Sequence, residues 1–286
     1  MTATPNASEQ SPLALMCGGG SLPLAVADHV SARGRRVILF PLVGAAEPES
    51  FGQHKQHWLY MGQVGKFLKL ARAEGCRDLV FIGSLTRPSV WKVRPDFHVL
   101  SALPRVYAAF RGGDNHLLTS IGGWMEEHGF RLLGAHEVAP EILMPEGQLG
   151  RVAVNEAARA DIALGLDYLH TAGRFDIGQA VVVADKHIIA VEAAEGTDAM
   201  LARIAELRRN GRIHAASGKG VLIKAAKPNQ DHRFDLPSIG PRTVECVAAA
   251  GLAGMAVTAG QAIVAEPEQL VLAADRAGIF VAGVKP

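Results

Sequence analysis

The sequence predicts an α/β fold: an N-terminal Rossmann-like domain with a mostly parallel sheet, then a C-terminal mixed α/β domain. Three observations carry that reading. Short apolar runs alternate with segments of helical periodicity at the spacing of βα units. Aromatic residues make up only 6% of the chain against 49% hydrophobic, which suits layers of Ala, Val, Leu and Gly in close contact. The texture then changes once, near residue 145, to a pattern that contains a hairpin.

Taken in order, LALMC (13–17) is the first strand, closed by Gly18-Gly19-Gly20, and LPLAVADHVSARG has the apolar spacing of a helix. VILFPLV reads as a second buried strand, VGKFLKLARAEG as a helix, DLVFIG as a strand, LLTSIGGWMEEHG as a helix, and FRLLGAHEVAPEIL as a strand with its exit. Pro145, Gly147 and Gly150 in MPEGQLG break the pattern, so residues 13–144 form one domain, 145–150 a linker and 151–286 the second. There NEAARADIALGLDYLHTAG is a helix, and QAVVVAD with HIIAVEAAEG reads as a hairpin. TDAMLARIAELRRNG is a helix capped by Thr197 or Asp198. VLIKAA, MAVTAG, AIVAE and IFVAGV are strands, with helices from Pro241 and over PEQLVLAADRAG between them.

Composition bounds the function. At 286 residues the chain holds two domains of ordinary size, and a net charge of +1 gives no basic footprint for nucleic acid. Cys17, Cys76 and Cys246 form no CxxC, so neither a zinc ribbon nor a disulfide framework is indicated and a reducing compartment is the simplest reading. Residues 1–12 are small and polar and read as a disordered tail, not a signal peptide. With no apolar run of about 18 residues, the chain reads as soluble or peripheral to a membrane.

Several stretches carry candidate chemistry. CGGG meets a helix N-terminus, where backbone N–H groups can approach a phosphate; a plain tight turn explains it too. A dinucleotide-binding oxidoreductase is the alternative there, but Leu22 and Pro23 stand where the glycine fingerprint would continue, and no Tyr has a Lys four residues on. FIGSLTRP places Ser84, Thr86 and Arg87 beyond a strand, GGDNHLLTS offers Asp114 or Asn115 as a cap, and VEAAEGTDAM opens a helix at Gly196-Thr197. His54 and His57 fit one helical face with no third ligand near in sequence. GKGVLIKAAKPNQDHRFDLPSIGP (218–241) is different: Lys219, Lys224, Lys227, Asp231 and Asp235 crowd around one strand. Lysines stabilise phosphoryl charge and carboxylates hold Mg²⁺, so this loop has both partners that phosphoanhydride chemistry needs. Between the cations of Lys224-Ala225-Ala226-Lys227 stands no carboxylate, either because close substrate approach needs small residues or because Ala replaces an acid.

GGGSLPLAVA, GKFLKLARAEG, FIGSLTRP, GDNHLLTSI, GAHEVAPEIL, GRFDIGQAVVV, EGTDAML and VLIKAAKPNQDHRFDLPSIGPRTVE, in that order, resemble the LpxI family of UDP-2,3-diacylglucosamine pyrophosphatases. The resemblance runs from about residue 13 to the C-terminus. It implies Mg²⁺-dependent hydrolysis of UDP-2,3-diacylglucosamine to UMP and 2,3-diacylglucosamine 1-phosphate (lipid X) in lipid A biosynthesis, with water attacking the sugar-linked phosphorus. It also implies an active site between two domains, a homodimer, and a cytoplasmic enzyme peripheral to the inner membrane. On this resemblance Gly19, Gly20, Thr86 and Asp114 would bind substrate from the first domain. Glu195, Gly196, Thr197, Asp198, Lys219 and Gln230 would bind it from the second, with Lys219 and Lys224 as phosphate clamps. Asp235 or Asp231 would hold the metal or activate water, beside Lys224. A non-catalytic carrier of an acylated nucleotide sugar is the remaining alternative.

Overall fold

A computed structural model describes residues 11–47, 51–85, 94–102, 114–175, 177–213, 218–227 and 231–285. The chain divides into two units, one of Met1–Glu141 with Asp231–Phe234, the other of Ile142–Gln230 with Asp235–Pro286. Thr86, Arg87, Gln230 and most of the N-terminal tail lie outside the described residues, as do the side chains of Asp114, Asn115 and His116.

In the first unit β1 (Leu13–Cys17) lies between β2 (Val37–Pro41) and β3 (Asp78–Ile82), with β4 (Arg131–Leu132) beyond β3; all pair in parallel. The central strands β1 and β3 are covered on both faces, which is why they read as continuous apolar runs instead of alternating ones. Helix α1 (Leu22–Ala32) has Pro23 in its first turn and buries Val26, Ala27 and Val30. Helix α2 (Val64–Ala73) buries Phe67, Leu68 and Ala71, and Phe67 meets Phe40 edge-on with ring centroids 4.9 Å apart. After α3 (Phe97–Ser101) comes α4 (Asp114–Glu127). The FRLLGAHEVAPEIL stretch forms two residues of strand and then turns at Gly134 into the short helix α5 (Ala135–Val138). His54 and His57 are not on a helix. Their Nε2 atoms lie against Asp28 Oδ1 (2.7 Å) and Glu74 Oε1 (2.8 Å) respectively.

Residues 231–234 complete this unit. Phe234 lies 5.7 Å, centroid to centroid, from Phe81, and Arg233 Nη1 donates to Glu126 Oε1 at 2.8 Å. Gly122 of α4 makes the room: a Cβ there would come within 2.3 Å of Phe234 Cζ.

The second unit has a six-stranded mixed sheet of β5 (Gly147–Leu149), β6 (Ala180–Ala184), β7 (His187–Val191), β8 (Val221–Lys224), β10 (Gly254–Thr258) and β12 (Phe280–Val284). Their order is β5-β12-β10-β8-β6-β7, with β8, β10 and β12 parallel and β5 and β6 antiparallel to their neighbours. Gly147–Leu149, inside the stretch read as a linker, is thus an edge strand of this sheet. The 185–186 hairpin turn has positive φ at Asp185 (50°) and Lys186 (63°), the geometry that matches strand twist. Buried Asp161 of α6 (Glu156–Ala172) accepts from both of their N–H groups. AIVAE contributes only β11 (Ile263–Val264), paired with β9 (Ser238–Ile239) in a separate ribbon. Helices α7 (Thr197–Arg209), α8 (Pro241–Ala249) and α9 (Pro267–Ala277) cover the face holding Val182, Leu222, Met255, Val257 and Val281, and α6 lies on the other. Among the described residues no helix is long and apolar enough to cross a membrane.

Candidate functional site

In the second unit the ends of β7, β8 and β10 and the start of β6 share one edge of the sheet, because β6 runs against its neighbours. Lys224, the last residue of β8, is only 8% exposed. Its Nζ donates to Ser238 O at 3.0 Å. Burial pulls its pKa down, while the charges of Glu192, Asp198 and Asp235 push it back up. A cation held there is starved of water and ready for an anionic ligand.

Glu192 follows β7 and is 8% exposed, accepting from Thr197 Oγ1 and from Gln179 N, both at 2.7 Å. Gln179 Nε2 donates to Asp235 Oδ2 at 2.7 Å. Asp235 is exposed, so its carboxylate can meet a ligand. Ala225, half-buried, packs against the apolar cluster around Ile223 and Phe280.

Helix α7 starts beside this cluster. Its cap is Gly196, at φ +80°, and neither Thr197 nor Asp198 serves as the cap the sequence suggested. Thr197 has turned to Glu192, and Asp198 Oδ2 lies 2.8 Å from Arg242 Nε of α8. Glu195 pairs with Arg203 at 3.0 Å. No side chain caps α7, and the positive end of its dipole suits an anion.

The structure does not bring Lys219 to this edge. It precedes β8, pairs with Asp185 at 3.2 Å, and is separated from Lys224 by about 16 Å of nearly extended chain. Nor does Asp231 share a unit with Asp235. Arg233 donates to it from Nε (3.0 Å to Oδ1) and Nη2 (2.8 Å to Oδ2), and that contact holds its carboxyl below the usual range. Glu192 and Gln179 are the functional candidates sequence reasoning missed; a carboxylate ending the apolar run HIIAV was the available signal.

In the first unit, the strand order places Gly18–Gly20 and Gly83–Leu85 where the connections leave β1 and β3 in opposite directions, the usual ligand crevice of such sheets. Here the glycines have a packing cause. Gly19 and Ser84 exchange two backbone hydrogen bonds of 2.9 Å, and a Cβ on Gly18 would sit 2.5 Å from Ser84 O. Gly20 is exposed with φ +91° and open space around it. Of the triplet, only Gly20 is available to a ligand through its surface.

The chain thus has two α/β units, the second with a buried lysine near the carboxylates of Glu192, Asp198 and Asp235. Residues 12–142 match the LpxI N-terminal domain family, and residues 145–282 match the LpxI C-terminal domain family. A protein of Caulobacter vibrioides named UDP-2,3-diacylglucosamine pyrophosphatase LpxI is 43% identical over 274 residues, covering 96% of this chain and 98% of that one. The chain belongs to the LpxI family.

Proposed function

We propose that this chain is a phosphoanhydride hydrolase that splits UDP-2,3-diacylglucosamine into UMP and 2,3-diacylglucosamine 1-phosphate. The observation that carries the reading is Lys224, a buried cation at a sheet edge near a helix start with no side-chain cap. Its charge offsets that of the diphosphate and of the transition state, where one unmade contact of this kind costs about 10²–10³ in rate. The amide of Thr197, at the start of α7, supplies a further donor to phosphate oxygens. We assign substrate binding in the first unit to Gly20, the exposed glycine of its triplet, and to Thr86 and Asp114.

The residues present fit Mg²⁺. Among those described, no three His, Cys, Asp or Glu form a cage, but Mg²⁺ takes one or two carboxylates and completes its shell with phosphate oxygens and water. Asp235 is exposed and oriented by Gln179; Asp231 is kept ionised and oriented by Arg233. When bound, Mg²⁺ supplies Lewis-acid charge to the diphosphate. Water attacks the sugar-linked phosphorus, and UMP leaves.

A diacylated substrate resides in a bilayer, so we place the enzyme at the membrane surface, working as a homodimer. Vesicle flotation and light scattering test those two parts. The reaction itself is tested with substrate, Mg²⁺ and ¹⁸O-water: UMP should be released, and the label should enter the diacylglucosamine phosphate. Label in UMP would sink the assigned phosphorus; tight retention of intact substrate would favour a carrier.

A further inference from the structure

We infer that Gln179 and Glu192 are positioning residues, which together set the orientation of the Asp235 carboxylate. The inference rests on the role of Asp235 proposed above. Every contact in the chain of residues is short and internal to the second unit. Glu192 Oε2 accepts from Gln179 N, and Gln179 Nε2 donates to Asp235 Oδ2, both at 2.7 Å. Gln179 is fixed on its other side by Ala225 N, which donates to Gln179 O at 3.1 Å one residue past Lys224.

The backbone around Gln179 is clamped just as closely. Gly178 N donates to Glu192 O at 3.1 Å, and Glu192 N donates to Ala180 O at 2.9 Å. A Cβ at residue 178 would lie 2.5 Å from Glu192 Cγ and 2.6 Å from Glu192 O, so only glycine admits this approach. Glu192 also holds Thr197, the first residue of α7, through Oε1. One buried carboxylate therefore ties the helix start to the loop that presents Gln179. A group misplaced by about 1 Å can cost about 10² in rate, so such a clamp matters to catalysis beyond its share of stability.

A purely structural role and a positioning role separate in a double-mutant cycle. Gln179 is not buried, so Gln179→Ala should leave the thermal midpoint within about 2 °C, as expected for loss of one surface hydrogen bond. It should lower kcat about tenfold or more with KM little changed, the pattern of an interaction made only in the transition state. Gln179→Ala/Asp235→Ala should be no slower than Asp235→Ala alone, because the two residues act as one unit. Glu192→Gln, whose amide cannot accept from both donors, should reproduce the kcat loss. A twofold or smaller effect of Gln179→Ala, or losses that multiply in the double variant, would overturn the relay. A crystal structure of Gln179→Ala keeps the question separate from substrate identity: Asp235 should leave its orientation. An unmoved Asp235 overturns the relay even if the wild type releases no UMP, an outcome that would by itself overturn only the assigned reaction.

Discussion

Lys224 opposes stability at a position where the proposed reaction needs its charge. Its desolvated ammonium has a pKa below the ordinary lysine value of 10.5. Between that lowered value and 10.5 the unfolded chain binds a proton that the folded chain has released, so folding stability rises with pH through the window. Activity should move the other way, since the diphosphate needs the charged form. Lys224→Met should flatten both trends, removing the alkaline rise in stability seen in denaturant titrations and lowering kcat/KM about 10²–10³-fold. A wild-type rate that holds up to pH 10.5 would argue against a charged Lys224 in the reaction. That Lys224 ends a buried strand was legible in its place at the end of VLIK. That Lys219 does not join it was not: counting charges in a window ignores the strand between them, which carries the two lysines to opposite sheet edges.

At the scale of elements, the apolar runs and helical spacing carried the α/β reading well, because buried parallel strands and amphipathic helices have distinct periods. Short pieces were harder. β4, β9 and β11 have two residues each, too few for any periodicity to register. Nor does the local sequence reveal that 231–234 completes the first unit, since Phe234 finds Phe81, Gly122 and Leu132 far away in the chain. That contact can be tested from the side that makes room for it. Gly122→Ala puts a methyl against the Phe234 ring, an overpacking that should cost about 1–3 kcal/mol. It should also slow hydrolysis, because Asp235 is the next residue along the chain. Gly122→Ala/Phe234→Leu should recover part of the lost thermal midpoint. If the single variant melts like the wild type, Phe234 is not seated against α4.

At the scale of the molecule, the chain passes between its units three times, at 141–142, 230–231 and 234–235, so no single cut separates them cleanly. The two units differ in what such a cut leaves behind. All six strands of the second sheet come from residues 147–284, and its helices bury a continuous apolar cluster within the same span. A fragment of residues 142–286 should therefore fold on its own, giving a cooperative melt by circular dichroism. It would carry Phe234 without Phe81, Leu132 or α4 to receive it, leaving an aromatic ring in water. Phe234→Ser should raise the soluble monomer yield of the fragment, while in the full chain the same change removes a packed ring and lowers the midpoint. The fragment should hydrolyse no substrate, since the substrate-binding residues proposed for the first unit are missing. Full turnover by the fragment would remove the first unit from the reaction and confine the whole site to the edge that holds Lys224, Glu192 and Asp235.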